Sequence, residues 1–475
     1  PDAGPRRGAG ARIGRDMTEG LHLGELRRCF RGAVPAVIAT ATADGTPNIT
    51  YLSSVHLVDN ERIALSNQFF SKTSRNLAEN PRASLLVIDP LTYDEYRLEV
   101  VFERTERRGA LFESLRSELE AVACMSGMQE VFRLKAADVY RVVQIEPVLG
   151  AAASRGDPPP AVPPVLDPAT AADRMSELAT RLARATDLDV VVETSVVGLA
   201  ELLDYEHAFL ALRDESGERL YVIASHGYDS QGVGSELSMD DGPVGLAARR
   251  CSPIRLGAMQ QMARYGRVVR SSYEHRTSSG DEEIPLPGLD VRSLVAVPAM
   301  ASGELVGVLV VESTHEVAFD ETDEQILTVA ATLIAAAIEN ERLREEAAVS
   351  APATVSPEPG TRGGTPTYVR MFERDASVFV DGEYLIKGVA GRILRALLQA
   401  HEASGRVDFT NRELRLDPSL ELPEYRANLE SRLILLKRRL DEREVPFRIH
   451  KTGRGRFRLD VDADIRLELV SGSDG

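Results

Sequence analysis

The sequence has few cysteines, no long apolar run and no overall excess of positive charge. It contains three cysteines in 475 residues, and their odd number and wide spacing argue against a disulfide framework and against paired metal-binding knuckles. No run of about 18 uninterrupted apolar residues is present, so no membrane span is predicted. The net charge of -17 argues against a chain that coats nucleic acid along its whole length. These features predict a cytoplasmic protein without a metal site or a membrane partner, in which each cysteine is a small buried apolar side chain.

The length predicts about three compact domains joined by linkers. Two stretches are rich in Pro, Ala, Gly and Ser and cannot bury enough apolar surface to offset the entropy of the chain. A Gly/Arg/Ala-rich segment at the start predicts a disordered leader. The predicted segments are the leader 1–16, a domain 17–149, a linker 150–170, a domain 171–346, a linker 347–366 and a domain 367–470.

The first domain has the pattern of a small antiparallel barrel. Val34–Thr42 is rich in β-branched residues, Asp44-Gly45 is a hairpin turn signal, and Pro47–Val58 reads as the returning strand. Four further strand patterns follow, with a helical pattern at Leu111–Ala123 between them. The sequence predicts a barrel with short helices.

The stretch Ala64–Asp89 resembles the flavin-binding split barrels of the pyridoxamine 5'-phosphate oxidase family. Ser71-Lys72-Thr73 stands where that family has Ser-Arg-Lys at the start of a helix, and Glu79-Asn80-Pro81 closes the helix. The resemblance implies FMN, with its phosphate at the helix N-terminus beside the charge of Lys72. The candidate cofactor-binding residues are Ser53, Ser54, Ser66, Asn67, Gln68, Ser71, Lys72 and Thr73.

Other readings of this barrel remain open. The family's second basic residue is replaced by Thr73, so a barrel that has lost its cofactor and only dimerises is one alternative. A deazaflavin or haem in the same cleft is another. No catalytic acid or base can be assigned from the sequence.

The second domain carries helical spacing over Asp173–Leu203, then strand patterns and a closing helix. The later part resembles the GAF domain, which implies an α/β sandwich that binds a small-molecule ligand. The matching positions are Ser293, Val297-Pro298, Gly307-Val308-Leu309, Phe319 and Ala337-Ile338-Glu339-Asn340. The sequence does not identify the ligand, and Phe319 and Asp323 are predicted to pack and cap. Beyond Ile338 the helix keeps a partly apolar seam, which predicts a homodimer, the alternative being a helix that packs only on its own sheet.

The third domain is mildly basic, with 19 Lys or Arg against 15 Asp or Glu in residues 367–460. Helical patterns at Val389–Ala400, Asn411–Leu416 and Pro423–Glu444 precede two strands joined by a Gly-rich turn. This order resembles the winged-helix domain of bacterial response regulators, with Leu436-Lys437-Arg438-Arg439-Leu440 ending the recognition helix. The resemblance implies duplex DNA as a partner. The candidate DNA-binding residues are Arg432, Lys437, Arg438, Lys451, Arg454 and Arg456.

The DNA interpretation depends on where these basic side chains lie. A solvated helix face and a protein-binding winged helix are the alternatives, and internal ion pairs of the basic residues would count against DNA binding. The predicted fold class is a multidomain α+β protein made of an antiparallel split β-barrel, a GAF α/β sandwich and a winged helix. The predicted function is a flavin- or ligand-responsive sensory regulator, acting on transcription. The alternative is a flavin-dependent oxidoreductase of the pyridoxamine-phosphate-oxidase-like class, with regulatory GAF and winged-helix domains.

Overall fold

The computed structural model divides the chain into two compact units, residues 1–119 with 133–160 and residues 120–132 with 161–475. The described residues are 21–30, 34–68, 70–126, 132–148, 168–214, 217–228, 232–240, 242–259, 289–348, 367–373, 375–420, 429–453 and 455–470. The predicted leader 1–16 and most of the two predicted linkers lie outside them. Among the described helices, none has the length and apolar character needed to cross a bilayer.

The first part of the chain folds into a curled antiparallel sheet of seven strands in the order β2-β1-β5-β6-β7-β4-β3. The strands are β1 (Ala36–Ala41), β2 (Pro47–Leu52), β3 (Val55–Leu57), β4 (Arg62–Asn67), β5 (Arg82–Ile88), β6 (Glu95–Glu106) and β7 (Ala136–Pro147). The helices are a 3-10 helix (Leu23–Phe30), α1 (Lys72–Glu79) and α2 (Ala110–Ser126). Alternate residues of β1 and β5 point into an apolar core, as the period of two along a strand requires.

The predicted returning strand Pro47–Val58 is two strands instead of one. β2 pairs with β1, whereas β3 pairs with β4 across the sheet. The chain turns at Ser53 and Ser54, and both serines therefore lie beside the end of β4. There the Ser66 N–H donates to the Ser54 carbonyl oxygen, and the Ser54 N–H donates to the Ser66 hydroxyl.

The three cysteines lie in different environments. Cys29 packs into the barrel core, where burial and then the nearby charge of Asp89 raise the pKa of its thiol to about 12. Cys124 is half-buried and Cys251 is exposed. The expectation of a buried apolar role therefore fits Cys29 and is wrong for Cys251.

Residues 168–348 form an α/β layer with a six-stranded antiparallel sheet in the order β10-β9-β8-β13-β12-β11. The strands are β8 (His207–Arg213), β9 (Arg219–His226), β10 (Glu236–Ser238), β11 (Ile254–Leu256), β12 (Ser293–Ala301) and β13 (Glu304–Ser313). The helices are α3 (Pro168–Ala183), α4 (Leu188–Leu203), α5 (Gly242–Arg250) and α6 (Glu321–Ala348).

The helical pattern predicted over Asp173–Leu203 is two helices. The break falls before Asp187, whose carboxylate caps α4 by accepting a hydrogen bond from the backbone N–H of Val190 at 3.2 Å. At the start of α6, Asp323 accepts a hydrogen bond from the Asp320 N–H at 2.8 Å, and Phe319 packs beside Tyr205. The packing and capping predicted for Phe319 and Asp323 match these contacts.

The described residues of 367–470 form two small sheets and three α-helices, together with a 3-10 helix (Pro418–Leu420). The strands are β14 (Thr367–Phe372), β15 (Val378–Val380), β16 (Glu383–Ile386), β17 (Asp408–Thr410), β18 (Phe447–Gly453), β19 (Arg456–Val461) and β20 (Ile465–Val470). The helices are α7 (Gly388–Ser404), α8 (Asn411–Leu416) and α9 (Leu429–Glu442). Strand order is β16-β15-β14-β20 in one sheet and β17-β19-β18 in the other, with β14 and β20 parallel.

The predicted helices and hairpin of this region are present. Thr410 and Glu413 form a reciprocal capping box that starts α8. The predicted third helix is described from Leu429, because residues 421–428 lie outside the described part. Buried apolar residues of this region and of residues 171–338 form one continuous core cluster, so the second and third predicted domains pack as one unit.

Candidate functional site

The first candidate site lies where β4 ends and α1 begins. Ser71 is the N-cap residue of α1 and makes no side-chain capping bond, and Lys72 is the first helical residue. Both side chains are exposed. The unpaired N–H groups and positive dipole end of a helix start, with a lysine beside them, suit an anionic group.

Gln68 contributes a buried polar group at the same edge. Its side chain is 3% exposed and donates a hydrogen bond to Ser53 Oγ at 3.0 Å. Its carbonyl oxygen Oε1 is buried and has no hydrogen-bond partner among the described residues. A buried acceptor without a donor is costly, so this atom is suited to an N–H group of a bound molecule.

The remaining predicted cofactor residues hold the strands together. Asn67 donates to Asp138 at 2.8 Å, and burial raises the pKa of that carboxyl against the opposing hydrogen bonds. Thr73 is buried, and its hydroxyl contacts Asn48 and Thr50, each at 3.1 Å. The Thr73 hydroxyl is therefore held within the barrel, while the Ser71 and Lys72 side chains are exposed and Gln68 Oε1 has no partner among the described residues.

A pair of a carboxyl group and an imidazole that the sequence did not reveal lies beside these residues. Glu118 of α2 contacts His56 Nδ1 at 2.9 Å and accepts a hydrogen bond from Ser54 Oγ at 3.4 Å. The pair joins residues 62 positions apart in the chain, and neither residue belongs to a motif. A carboxylate and an imidazole in contact are groups that can exchange a proton.

The second candidate site is a polar cluster on the GAF-like sheet. Glu312 of β13 lies opposite His207 of β8 and accepts a hydrogen bond from Tyr228 Oη at 2.8 Å. The His207 and Tyr228 rings meet edge to face with centroids 5.5 Å apart. The His207 Nδ1 atom is buried and has no partner in the described part of the chain.

Burial governs the ionisation of this cluster. Desolvation raises the pKa of Glu312 above its ordinary value, against the hydrogen bond from Tyr228. Leu309 and Val311 of the same strand belong to the core on the helical side, so Glu312 lies on the opposite face of the sheet. No signal in the sequence marks Glu312, because this residue continues an apolar strand.

The third candidate site is the basic helix α9. Lys437 Nζ lies 2.8 Å from Asp189 Oδ2, and Arg438 Nη2 lies 3.2 Å from Asp189 and 3.0 Å from Glu193. Burial opposes ionisation of Asp189, but Lys437 and Arg438 outweigh it and lower the pKa of its carboxyl. The basic side chains predicted to face DNA are thus ion-paired with the start of α4.

The other predicted DNA-binding residues lie in different surroundings. The Arg432 guanidinium lies 3.8 Å from the ring centroid of Tyr221. Lys451 of β18 pairs with Glu430 at 3.3 Å and with Asp187 at 3.5 Å. Arg456 is exposed, and Arg454 lies outside the described residues. In this structure Lys437 and Arg438 are therefore paired with acidic side chains, and their contact with DNA stays a prediction.

Two family models match the chain. Residues 23–143 match the model described as pyridoxamine 5'-phosphate oxidase, and residues 185–339 match the model of the GAF domain. These matches support the first two of the three predicted domains and, with them, a multidomain sensory protein. Neither match extends into residues 367–470.

Similarity to individual proteins is local. The GAF domain of an Acinetobacter phosphoenolpyruvate-protein phosphotransferase is 20% identical, over 38% of this chain and 99% of that chain, with a TM-score of 0.30. An FMN-binding protein from Syntrophomonas wolfei subsp. wolfei is 22% identical, over 26% of this chain and 84% of that chain, with a TM-score of 0.23. An uncharacterised protein of Methanocaldococcus jannaschii is 36% identical over 50 residues, which span 10% of this chain and 34% of that protein.

Proposed function

We propose that this chain is a cytoplasmic, homodimeric transcriptional regulator that responds to a small ligand. In this proposal the GAF domain receives the ligand, the barrel binds FMN, and residues 367–470 form a winged helix that binds duplex DNA. The observation that carries it is the direct contact between the GAF domain and helix α9, through Asp189 and Glu193 on one side and Lys437 and Arg438 on the other. A ligand that alters the GAF domain can then alter the basic helix.

The order of elements in residues 367–470 supports a winged helix. Helices α7, α8 and α9 are followed by the antiparallel hairpin of β18 and β19. The turn of this hairpin holds Gly455 in the left-handed region with a φ of 63° and is followed by the exposed Arg456. A helix that enters the major groove and a basic hairpin beside it are the parts that this recognition mode needs.

The barrel residues that fit FMN are few and specific. Ser71 and Lys72 would hold the phosphate at the start of α1, and Gln68 Oε1 would accept a hydrogen bond from the ring. Bound FMN supplies a redox-active ring. Exposed Ile49 and Tyr51 on β2, 68% and 73% exposed, provide apolar area for a second copy of the chain.

The DNA part of the proposal is tested by titrating a labelled mixed-sequence duplex at several salt concentrations. Binding should weaken with salt, with a log–log slope that becomes shallower by about 0.9 for each phosphate contact removed. Arg456→Glu should weaken binding and flatten the slope. Arg466→Glu is the matched control, because Arg466 is an exposed arginine of the same domain on β20. Equal loss in both variants would overturn DNA binding through the hairpin.

The flavin part is tested by the absorbance spectrum of the purified protein and by FMN titration. Lys72→Glu should weaken FMN binding because it removes the charge at the start of α1, whereas Arg82→Glu, an exposed arginine on β5, should not. A barrel that takes up no flavin contradicts this part and leaves the DNA part standing.

A second candidate function is a flavin-dependent oxidoreductase. The contact of Glu118 with His56 and Ser54, beside the candidate cofactor residues, favours it. Bound flavin together with steady consumption of a reductant would support this function. Loss of turnover in Glu118→Gln with flavin still bound would show that the contact between Glu118 and His56 serves the reaction. Flavin that is bound but not turned over would favour the regulator.

A further inference from the structure

We propose that the GAF domain holds helix α9 in a closed state that cannot bind DNA, and that the acidic start of α4 is the clamp. This inference rests on the proposed winged-helix function and adds how that function is switched off. The clamp residues are Asp187, Asp189 and Glu193.

Helix α9 has no exposed face in this structure. Every residue from Leu429 to Leu440 is buried or half-buried, and the first exposed residue is Asp441. Recognition in a groove needs the side chains of a helix to reach base edges and phosphates. In the closed state α9 therefore cannot serve as a recognition helix.

The clamp uses the charges that DNA would use. Asp189 Oδ2 and Oδ1 contact Lys437 and Arg438 at 2.8 and 3.2 Å, and Glu193 contacts Arg438 at 3.0 Å. Arg438 is the most covered of these side chains, with 13% exposure. Carboxylates at this position occupy the donors that would otherwise bind phosphate oxygens.

A buried polar contact fixes the position of α9 on the GAF sheet. Tyr221 Oη of β9 and Ser431 Oγ of α9 lie 2.6 Å apart, and both residues are almost fully buried. The Arg432 guanidinium stacks on the same tyrosine ring. These contacts place the GAF sheet directly against the amino-terminal half of α9.

The hairpin is held by the same group of acids. Lys451 Nζ lies 3.5 Å from Asp187 and 3.3 Å from Glu430. A small cavity remains between α4, α9 and the hairpin, and its lining includes Asp189, Glu430, Lys437 and Phe457.

Acidic residues at the start of α4 also have an ordinary role, because they interact favourably with the helix dipole. Neutral amides at Asp189 and Glu193 should keep most of the helix stability while removing the charge pairing with α9. The same net change can be made elsewhere on α4, where Glu201 and Asp204 pair with arginines of α3. This gives a control that is matched in helix, charge and ion pairing.

The experiment uses the full chain and the mixed-sequence duplex at low salt. Asp189→Asn with Glu193→Gln should bind the duplex about tenfold more tightly than the unaltered chain, because a larger fraction is open. Glu201→Gln with Asp204→Asn should leave the affinity unchanged. Hydrogen exchange of the α9 amides, measured without DNA, should become faster in the first variant only.

The outcomes separate the clamp from DNA binding. Equal DNA affinity and equal exchange in all three proteins overturn the clamp while DNA binding stands. Faster exchange of α9 in the first variant, with no DNA binding by any protein, supports the clamp contact and overturns the proposed DNA function. Tighter DNA binding in both variants assigns the effect to net charge and overturns the clamp.

Discussion

At the scale of single residues, Glu312 shows how burial sets the ionisation of the GAF-like sheet. Its carboxyl is 9% exposed, and its hydrogen bond comes from the neutral phenol of Tyr228. Because desolvation raises its pKa in the folded chain, the protonated form is favoured on folding. The stability from this group is complete below the ordinary carboxyl pKa and is lost as the pH rises through the folded value.

Glu312→Gln should therefore change how stability depends on pH. The amide keeps an acceptor for Tyr228 and cannot ionise, so the variant should lose less stability than the unaltered chain as the pH rises above the ordinary carboxyl range. Denaturant unfolding at several pH values measures this difference. Glu206→Gln, which alters an exposed carboxylate next to His207, should follow the unaltered chain. If the free energy of unfolding depends on pH in the same way for the unaltered chain and for Glu312→Gln, the raised pKa of Glu312 is contradicted.

At the scale of elements, helix α7 depends on a close approach of its backbone. A Cβ atom at Gly391 would lie 2.0 Å from the carbonyl oxygen of Ala376, in the turn before β15. At Gly391, α7 packs directly against backbone atoms. Backbone cannot move aside as easily as a flexible side chain, so there is no room for a Cβ atom. The glycine is required by this contact, although a helix interior ordinarily disfavours glycine.

Gly391→Ala should destabilise the protein although alanine is the better helix former. At an open helical site this change stabilises by up to about 1 kcal/mol, whereas here overpacking should cost about 1–3 kcal/mol. Thermal unfolding measures the difference. Ser404→Ala, at an exposed position of the same helix, should have a small effect. A higher melting temperature for Gly391→Ala would show that α7 can move away from Ala376.

Much of the element pattern could be predicted from local sequence. The β-branched run that forms β1 and the helical spacing that forms α7 lie within four residues of their predicted bounds. These elements are recognisable because period and composition are local properties of the chain. The residues that resemble the pyridoxamine 5'-phosphate oxidase and GAF families were likewise visible in short stretches of sequence.

The features that sequence missed depend on contacts between distant segments. β14 was not predicted because its partner, β20, is almost 100 residues away, and the two pair in parallel. Charge on α9 was taken to indicate exposure, yet Lys437 and Arg438 are charged and paired within the fold. A pattern of charges shows where a helix is polar but does not show which acids, if any, lie opposite it.

At the scale of the whole molecule, three predicted domains fold into two compact units. Buried residues within 171–338 and 369–459 form one continuous apolar cluster. Elements that share a core tend to unfold together, since exposing one side exposes the other. The GAF domain and the C-terminal domain should therefore behave as one cooperative unit.

Calorimetry should show two unfolding transitions instead of three. Gly391→Ala should lower the melting temperature of the unit that contains Tyr221 and the GAF core, because α7 belongs to the same apolar cluster. The barrel transition should be unmoved. A third, separate transition that alone responds to Gly391→Ala would show that the C-terminal domain unfolds independently.

The parallel pairing of β14 with β20 has a mechanical consequence. Thr367 pairs with Ile465 at one end of the ladder and Phe372 with Val470 at the other, so the chain enters and leaves this domain at opposite ends of two adjacent strands. Tension between the entering and leaving segments would load all of the ladder's hydrogen bonds in shear at once, instead of peeling them one after another. This domain should consequently resist pulling through its ends far better than its small size would imply.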